Sequence, residues 1–344
     1  MAATTRSKAP RPALGLPLAV ETLPRGDASH VWADYIEVLC LADADHYFTQ
    51  ADLLGRLKSR RELGEGIPQS AIQDADDRAD GWLSEGESAL PDERDESLVK
   101  GLFDHLQYRA AEFRRAYPFE LNDRRDALHL RKRLTQRHKL YIFFLLSACH
   151  ERLLRNGPSL LKQFEVVSRK ALLRMLPRLR VKLFGSGTTR NDYSGNKWTR
   201  ICALAKDLCV NVKAKEDSFS KYDVGDAGLD LVAYFPFEDG ASHVLVIFAQ
   251  CACTPAWKTK QFSSGSSRWS NILDFHVPPQ NMLFIPYCLR ESSGQWHEQH
   301  EISQTVMIDR VRLVRLLGEE AGGALAGQPD RIVAETLSTH EQVF

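Results

Sequence analysis

One apolar run constrains the fold of this 344-residue chain more than any other stretch of its sequence. Residues 244–249 read VLVIFA, six consecutive apolar side chains without the alternation of a half-exposed strand, and the polar Gln250 follows them. A strand of this kind is covered on both faces, which places it in the middle of a sheet with helices on either side. The chain is therefore predicted to be a mixed α/β protein.

The patterning divides the chain into four parts. Residues 1–28 are rich in Ala and Pro and are expected to be a disordered tail. Residues 29–158 are expected to form a helical domain, which includes a long basic helix over about 124–155. Residues 159–322 alternate strand and helix patterns and are expected to form an α/β domain, and the polar residues 323–344 a loose tail.

Composition predicts the cellular compartment of the protein and whether it associates with a membrane. No apolar run approaches the roughly 18 residues of a membrane-spanning helix, so no membrane association is expected. The chain has seven cysteines, an odd number scattered through apolar patterns, which indicates a reducing, cytoplasmic location and no disulfide framework. The pair Cys251 and Cys253 lacks a second cysteine pair, so a structural zinc site is not expected.

Charge is unevenly distributed along a chain that is neutral as a whole. Residues 120–190 carry 17 Lys and Arg but 5 Asp and Glu, and both flanking regions are acidic. This basic block either attracts phosphates from an exposed face or neutralises the acidic N-terminal helices within the fold. On the first interpretation, nucleic-acid contacts are expected from Arg131, Lys132, Arg133, Arg137 and Lys139. His138 and His150 have no acids at metal-ligand spacing and are expected to be structural.

Polar groups follow the most buried strands. Asp230 lies in the strand pattern GLDLVAYFPF, and a turn at EDGAS separates it from Gln250. If the two strands pair as a hairpin, both side chains meet at one edge of the sheet, where their oxygens could hold a divalent cation. Lys258 and Lys260 follow, and either could stabilise charge on a phosphate. The simpler interpretation is a turn carboxylate, a hydrogen-bonded core amide and two solvated lysines.

The residues GLD and QCA, with the order helix, strand, hairpin, helix, strand, resemble the PD-(D/E)XK nuclease superfamily, which has the restriction-endonuclease-like fold. The resemblance covers roughly residues 160–320. It implies Mg²⁺ or Mn²⁺ held by Asp230 and Gln250, together with a glutamate on the first core helix. Glu165 in FEVVSRKALLRML matches that glutamate, whereas the alternative first helix, 197–209, offers Asp207. Asp226 in the turn VGDAG is more typical of a turn residue.

This sequence departs from the family pattern at two positions. Gln250 stands where an acid is usual, and Ala252 stands where the family has lysine, so Lys258 or Lys260 would have to supply the amine from a shifted position. The resemblance thus favours a metal-dependent DNA endonuclease. By analogy with the family alone, such an enzyme would act in prokaryotic restriction or anti-phage defence.

The alternative is a catalytically inactive nuclease-fold module that binds nucleic acid or a partner protein in a larger complex. Its acidic N-terminal helices would then be the docking surface for that partner. An enzyme of another class on a similar sheet is disfavoured, because the sequence has no glycine-rich phosphate loop with its lysine, no Rossmann fingerprint and no nucleophile elbow.

Overall fold

The computed structural model describes residues 23–24, 28–62, 91–152, 157–185, 191–220, 225–254 and 256–338. Nearly all of the predicted N-terminal tail lies outside these ranges. Within them the chain has the predicted mixed α/β fold, in which a five-stranded sheet is flanked by helices.

Helices precede the sheet and also separate its strands. The α-helices of the described ranges are α1 (Ser29–Ala42), α2 (Gln50–Glu62), α3 (Pro91–Phe113), α4 (Gln136–Ala148), α5 (Gly157–Met175), α6 (Lys197–Asp207), α7 (Trp257–Lys260), α8 (Ser266–Trp269), α9 (Arg310–Leu317), α10 (Ala321–Leu325) and α11 (Gln328–Leu337). The strands are β1 (Tyr47–Thr49), β2 (Phe119–Leu121), β3 (Ala127–Leu130), β4 (Arg180–Leu183), β5 (Asn211–Val212), β6 (Leu231–Tyr234), β7 (Val246–Cys251), β8 (Leu273–Asp274), β9 (Gln280–Phe284) and β10 (Val306–Ile308).

The main sheet has the strand order β10-β9-β7-β6-β4, with β7 at its centre. Strand β7 pairs antiparallel with β6 and parallel with β9. Strand β10 is parallel to β9, and β4 is antiparallel to β6. The predicted hairpin of neighbouring strands is therefore present as β6 and β7.

Strand β7 is covered on both faces, as its apolar run predicts. Ile247 and Ala249 join the large core beneath α4 and α5, and the alternate residues Val246 and Phe248 pack with α6 on the opposite face. This division follows from the two-residue period of a strand. The first part of the run differs from the expectation, because the strand begins at Val246 and the preceding Leu245 is exposed.

The predicted basic helix over about 124–155 is wrong in its first part. Residues 119–130 form the hairpin β2–β3, which pairs with β1 in a three-stranded sheet. Helix α4 begins at Gln136, because Thr135 caps it: the Thr135 hydroxyl accepts from the His138 amide, and the His138 ring accepts from the Thr135 amide. The apolar alternation of ALHL is short and lies between charged residues, so the sequence pattern does not predict this strand.

The core does not end at the expected domain boundary of residue 158. One hydrophobic cluster contains side chains from α1 to α5 and from α9 to α11, so the N-terminal helices and one face of the main sheet share it. Residues 323–344 were expected to be a loose tail, yet α11 places Ile332 and Val333 in this cluster. The apolar spacing of this helix is clear, but the preceding GEEAGGALAG is rich in glycine and favoured a loop.

Four buried charged side chains, Asp34, Glu37, Arg109 and Arg310, connect α1 and α3 to α9. Asp34 accepts hydrogen bonds from Arg109 and Arg310, at 2.7 to 2.9 Å, and Arg310 lies 276 residues away in sequence. Glu37 accepts from the hydroxyls of Tyr117 and Tyr141, each at 2.9 Å. The two guanidinium groups lower the pKa of Asp34 against the opposing effect of burial, whereas burial raises the pKa of Glu37.

We expect Arg310→Met to lower the free energy of unfolding by about 3–5 kcal/mol, because it removes one partner from a buried charge network. The matched control is Arg180→Met, which removes the exposed partner of Glu238 and should lower stability by less than about 1 kcal/mol. Urea unfolding monitored by circular dichroism measures both. Equal, small losses in the two variants would contradict a structural role for the network.

Candidate active site

Asp230 and Gln250 meet at the end of the main sheet where β6 begins and β7 ends. We call this end of the sheet, with these two residues, the polar edge. Leu231 pairs with Ala249 in the β6–β7 ladder, so one more step of the register places Asp230 opposite Gln250. The Gln250 amide donates to Asp230 Oδ2 at 2.6 Å, and the Cys251 backbone N–H donates to the same oxygen at 2.7 Å. Both side chains are 3% exposed. The strand ends thus hold a carboxylate and an amide in direct contact inside the protein.

This contact leaves two acceptor oxygens without protein donors. Gln250 Oε1 is buried and has no hydrogen-bond partner among the described residues. Within the same ranges Asp230 Oδ1 accepts no hydrogen bond, because both donors bind Oδ2. A buried acceptor without a donor costs on the order of 1–3 kcal/mol, and such groups in native proteins are usually satisfied by water or an ion. The donor set therefore fits a small cation bound by hard oxygens.

Two further carboxylates act electrostatically on this edge. Burial raises the pKa of Asp230 well above its usual range, and the charges of Glu165 and Asp226 add to the increase. Burial and the charge of Asp226 raise the pKa of Glu165 to about 7. Clustered acids raise one another's pKa because two negative charges in a poorly hydrated space repel. A divalent cation bound beside Asp230 would reduce that repulsion, and such perturbed acids are frequent at functional sites.

Glu165 reaches the site from α5. A β-carbon built on Gly185 would lie 3.1 Å from Glu165 Oε2, and the Gly185 amide donates to the Asp230 carbonyl at 3.3 Å. Gly185 thus lies between the glutamate and the start of β6, and the lack of a side chain there leaves room for the carboxylate. Asp226 is a turn residue, whose carboxylate accepts from the Gly228 amide at 2.7 Å.

The alternative acid, Asp207, is engaged elsewhere. Its carboxylate bonds the Lys182 amine at 2.5 Å and the Tyr193 hydroxyl at 2.7 Å. After burial, the charge of Glu165 is the main cause of the raised pKa of Asp230. The structure therefore places Glu165, and not Asp207, with the polar edge.

The two candidate lysines have different surroundings. Lys258 forms an ion pair with Glu298 at 2.7 Å. Lys260 is exposed, has no ion pair within the described ranges, and its charge acts to lower the pKa of Asp230. Ala252, at the position of the family lysine, is buried against Trp257 and Leu283. Of the two shifted amines, that of Lys260 is therefore the one without an ion pair in the described ranges, and its charge favours the ionised form of Asp230.

Gln261 fixes the α7 segment to the rest of the protein, a role that the sequence pattern does not predict. This side chain is 1% exposed, donates to the carbonyls of Lys258 and Glu301, and accepts from the Ser303 amide. The next residue, Phe262, is 57% exposed. A glutamine among lysines in WKTKQF is typical of a solvated helix face, so only the tertiary contacts distinguish it. Its bonds fix the backbone that carries Lys260.

In the part of the chain that the structure describes, no group of three or more His, Cys, Asp and Glu side chains has the arrangement of a metal site. The proposed donor set differs from such a group because it combines carboxylates with the Gln250 amide oxygen. All seven cysteines are free thiols. Burial raises the pKa of the Cys251 and Cys253 thiols well above the usual range, so these side chains are poor metal ligands.

Much of the basic block is paired within the fold. Arg131 pairs with Glu120, Arg137 with Glu319 and Lys139 with Asp330. Four more pairs involve Arg169, Arg174, Arg180 and Lys182. Lys132 and Arg133 are exposed and have no ion pair within the described ranges. These contacts favour neutralisation within the fold over one continuous face for nucleic acid.

The acidic N-terminal helices are also paired in part. Asp92 and Asp95 of α3 bond Lys58 and Arg61 of α2. The acidic stretch between these helices lies outside the described residues. Among the described helices, none combines the length and the apolar character needed to span a bilayer.

Comparison of the chain with protein-family models, with curated proteins and with solved structures gives no match. The assignment of a function therefore depends on the geometry of the polar edge and on the residues that form it.

We expect Glu165→Gln to stabilise the protein at pH 8 by about 1–2 kcal/mol and to have little effect at pH 4.5. The folded-state pKa is raised from 4.5 to about 7, so the folded protein holds an extra proton between these values. Stability contributed by this group is present below pH 4.5 and is lost as pH rises through 7. Urea unfolding at both pH values measures the difference.

Glu216→Gln, which removes an exposed acid, is the matched control and should change stability by less than about 0.5 kcal/mol at either pH. A Glu165→Gln variant no more stable than the wild type at pH 8 would show that Glu165 is not crowded by other carboxylates.

Proposed function

We propose that this chain is a metal-dependent DNA endonuclease of the PD-(D/E)XK type. The observation that carries the proposal is the buried Asp230–Gln250 pair at the adjoining ends of two central strands, with an acceptor oxygen on each side chain left without a protein donor. Water or a cation is needed to satisfy these oxygens, and the neighbouring carboxylates favour a cation.

The order of elements supports the same proposal. Helix α5, strand β4, the hairpin β6–β7, the short helices α7 and α8, and strand β9 occur in the order that the resemblance implies, with α6 and β5 inserted between β4 and β6 and β8 between α8 and β9. In the sheet, β6 is antiparallel to both of its neighbours and β7 is parallel to β9. The candidate residues then lie at the edge where the polypeptide leaves β7, and the helices α7 and α8 cross from there to β9.

In this proposal Asp230, Gln250 and Glu165 supply the oxygens that hold Mg²⁺ or Mn²⁺. A bound cation of this kind stabilises negative charge on phosphate oxygens and lowers the pKa of bound water. Lys260 provides a positive charge near the phosphate, on a segment that Gln261 fixes to the body of the protein. Lys258 has a structural role, because its amine holds Glu298.

The second candidate function is a non-catalytic module of the same fold that binds nucleic acid or a partner protein. It is favoured by Ala252, whose buried side chain stands where the family has its lysine. This alternative predicts binding without cleavage, so a cleavage assay separates the two.

We expect wild-type protein to cleave supercoiled plasmid DNA at pH 8 with Mg²⁺ or Mn²⁺ and to be inactive in EDTA. Asp230→Asn should lower the rate by at least about 100-fold, since it removes the central carboxylate while retaining the size of the side chain. Lys260→Ala should lower it by about 10- to 100-fold, and the matched control Lys258→Ala by less than about 3-fold.

Equal cleavage by the wild type and Asp230→Asn would contradict the site. Wild-type protein that binds duplex DNA without cutting it in either metal would favour the non-catalytic module. Equal losses in the two lysine variants would contradict the assignment of Lys260.

A further inference from the structure

A groove of about 560 Å³ lies away from the polar edge, where α3, α4 and α9 come together. Its charged lining consists of four arginines and two glutamates: Arg114, Arg115, Arg137, Arg315, Glu112 and Glu319. Its apolar wall comes from Phe113, Val311 and Val314. Pockets of roughly 300–1,000 Å³ suit small-molecule ligands, and this one has a net positive lining.

The arginines of the groove fall into two pairs with different partners. Arg315 bonds Glu112, and Arg137 bonds both Glu319 and the Gly318 carbonyl, so these two side chains are neutralised and held in place. Arg114 and Arg115 are exposed, and their side chains form no ion pair or hydrogen bond within the described ranges. Two of the four guanidinium groups are therefore available to a ligand.

Arg114 and Arg115 belong to the backbone turn that follows α3. Residues Arg114–Ala116 form a 3₁₀ turn between α3 and β2, and Phe113 and Ala116 on either side of the arginines are buried. Arg114 has φ = 48°, in the left-handed region that a residue with a β-carbon adopts at a cost of roughly 1–2 kcal/mol. The buried flanks hold the turn in this conformation, and the two arginines project from it beside Arg137 and Arg315.

We propose that this groove binds a small polyphosphate, either inorganic or carried by a nucleoside. Guanidinium groups bind phosphate oxygens bidentately, and the two free ones offset part of the negative charge of a polyphosphate chain. A continuous nucleic-acid backbone fits less well, because Glu112 and Glu319 neutralise the other two arginines and the free positive charge is confined to two side chains.

The test measures binding of ATP and of inorganic tripolyphosphate to the full chain in EDTA by isothermal titration calorimetry. We expect wild-type protein to bind both, and Arg114→Asn/Arg115→Gln to bind at least about 10-fold more weakly. Asn is chosen at position 114 because it tolerates positive φ. Tighter binding of ATP than of tripolyphosphate would support a contact with the base, and equal binding would support recognition through phosphates.

Arg124→Gln/Arg125→Asn is the matched control. These two arginines are also consecutive and exposed, they lie in the β2–β3 turn outside the groove, and Arg125 likewise has a positive φ, 59°. The control should bind as the wild type does, and unchanged far-ultraviolet circular dichroism verifies the fold of both variants. The proposal is overturned if wild-type protein binds neither probe, or if both double variants lose binding equally. It is also overturned if duplex DNA, and not ATP, depends on Arg114 and Arg115.

Discussion

The burial of strand β7 on both faces is the constraint on which the arrangement of the rest of the chain depends. A strand with apolar side chains in both directions must be covered twice, and the chain provides α4 and α5 on one face and α6 on the other. Polar groups are excluded from such a strand until it ends. Where the strand ends, Gln250 contacts Asp230, and the charges of Glu165 and Asp226 act on the same carboxylate. The same packing that stabilises the fold thus concentrates perturbed carboxylates at one edge.

Electrostatics elsewhere in the protein serves mainly to connect distant parts of the chain. The buried network of Asp34, Glu37, Arg109 and Arg310 joins α1 and α3 to α9, so the N-terminal helices and the sheet region share both charges and core. Six basic side chains of the block 120–190 pair with acids outside it, and Arg131 pairs with Glu120 inside it. Lys260, Arg114 and Arg115 differ from these paired side chains, because they are exposed and have no ion pair within the described ranges, as is also true of Lys132 and Arg133.

The sequence predicted those features that depend on local apolar periodicity. The central strand, its pairing with the Asp230 strand and the meeting of Asp230 with Gln250 follow from the run at 244–249 and the turn before it. The sequence could not decide between Glu165 and Asp207. Asp207 is engaged by Lys182, and this contact forms only when β4 and α6 pack together. Lys258 and Lys260 are indistinguishable in WKTK until Glu298, distant in sequence, engages the first of them.

The errors of the sequence analysis have a common physical origin. The sequence predicts a basic helix where the strand ALHL forms and a tail where α11 forms, because each element is short and adjoins residues that locally favour another structure. Short elements gain their stability from tertiary packing, which for α11 means burial of Ile332 and Val333 in the shared core. Local propensity carries little information about such elements.

The central claim is that the polar edge binds a divalent cation, and electron paramagnetic resonance of Mn²⁺ tests it most directly. Titration of the wild-type protein at pH 8 should give about one bound Mn²⁺ per chain, with affinity that decreases as pH falls below the Glu165 pKa of about 7. Asp230→Asn should abolish this binding while retaining the fold. Equal Mn²⁺ binding by the two proteins, or none by the wild type, would contradict the account.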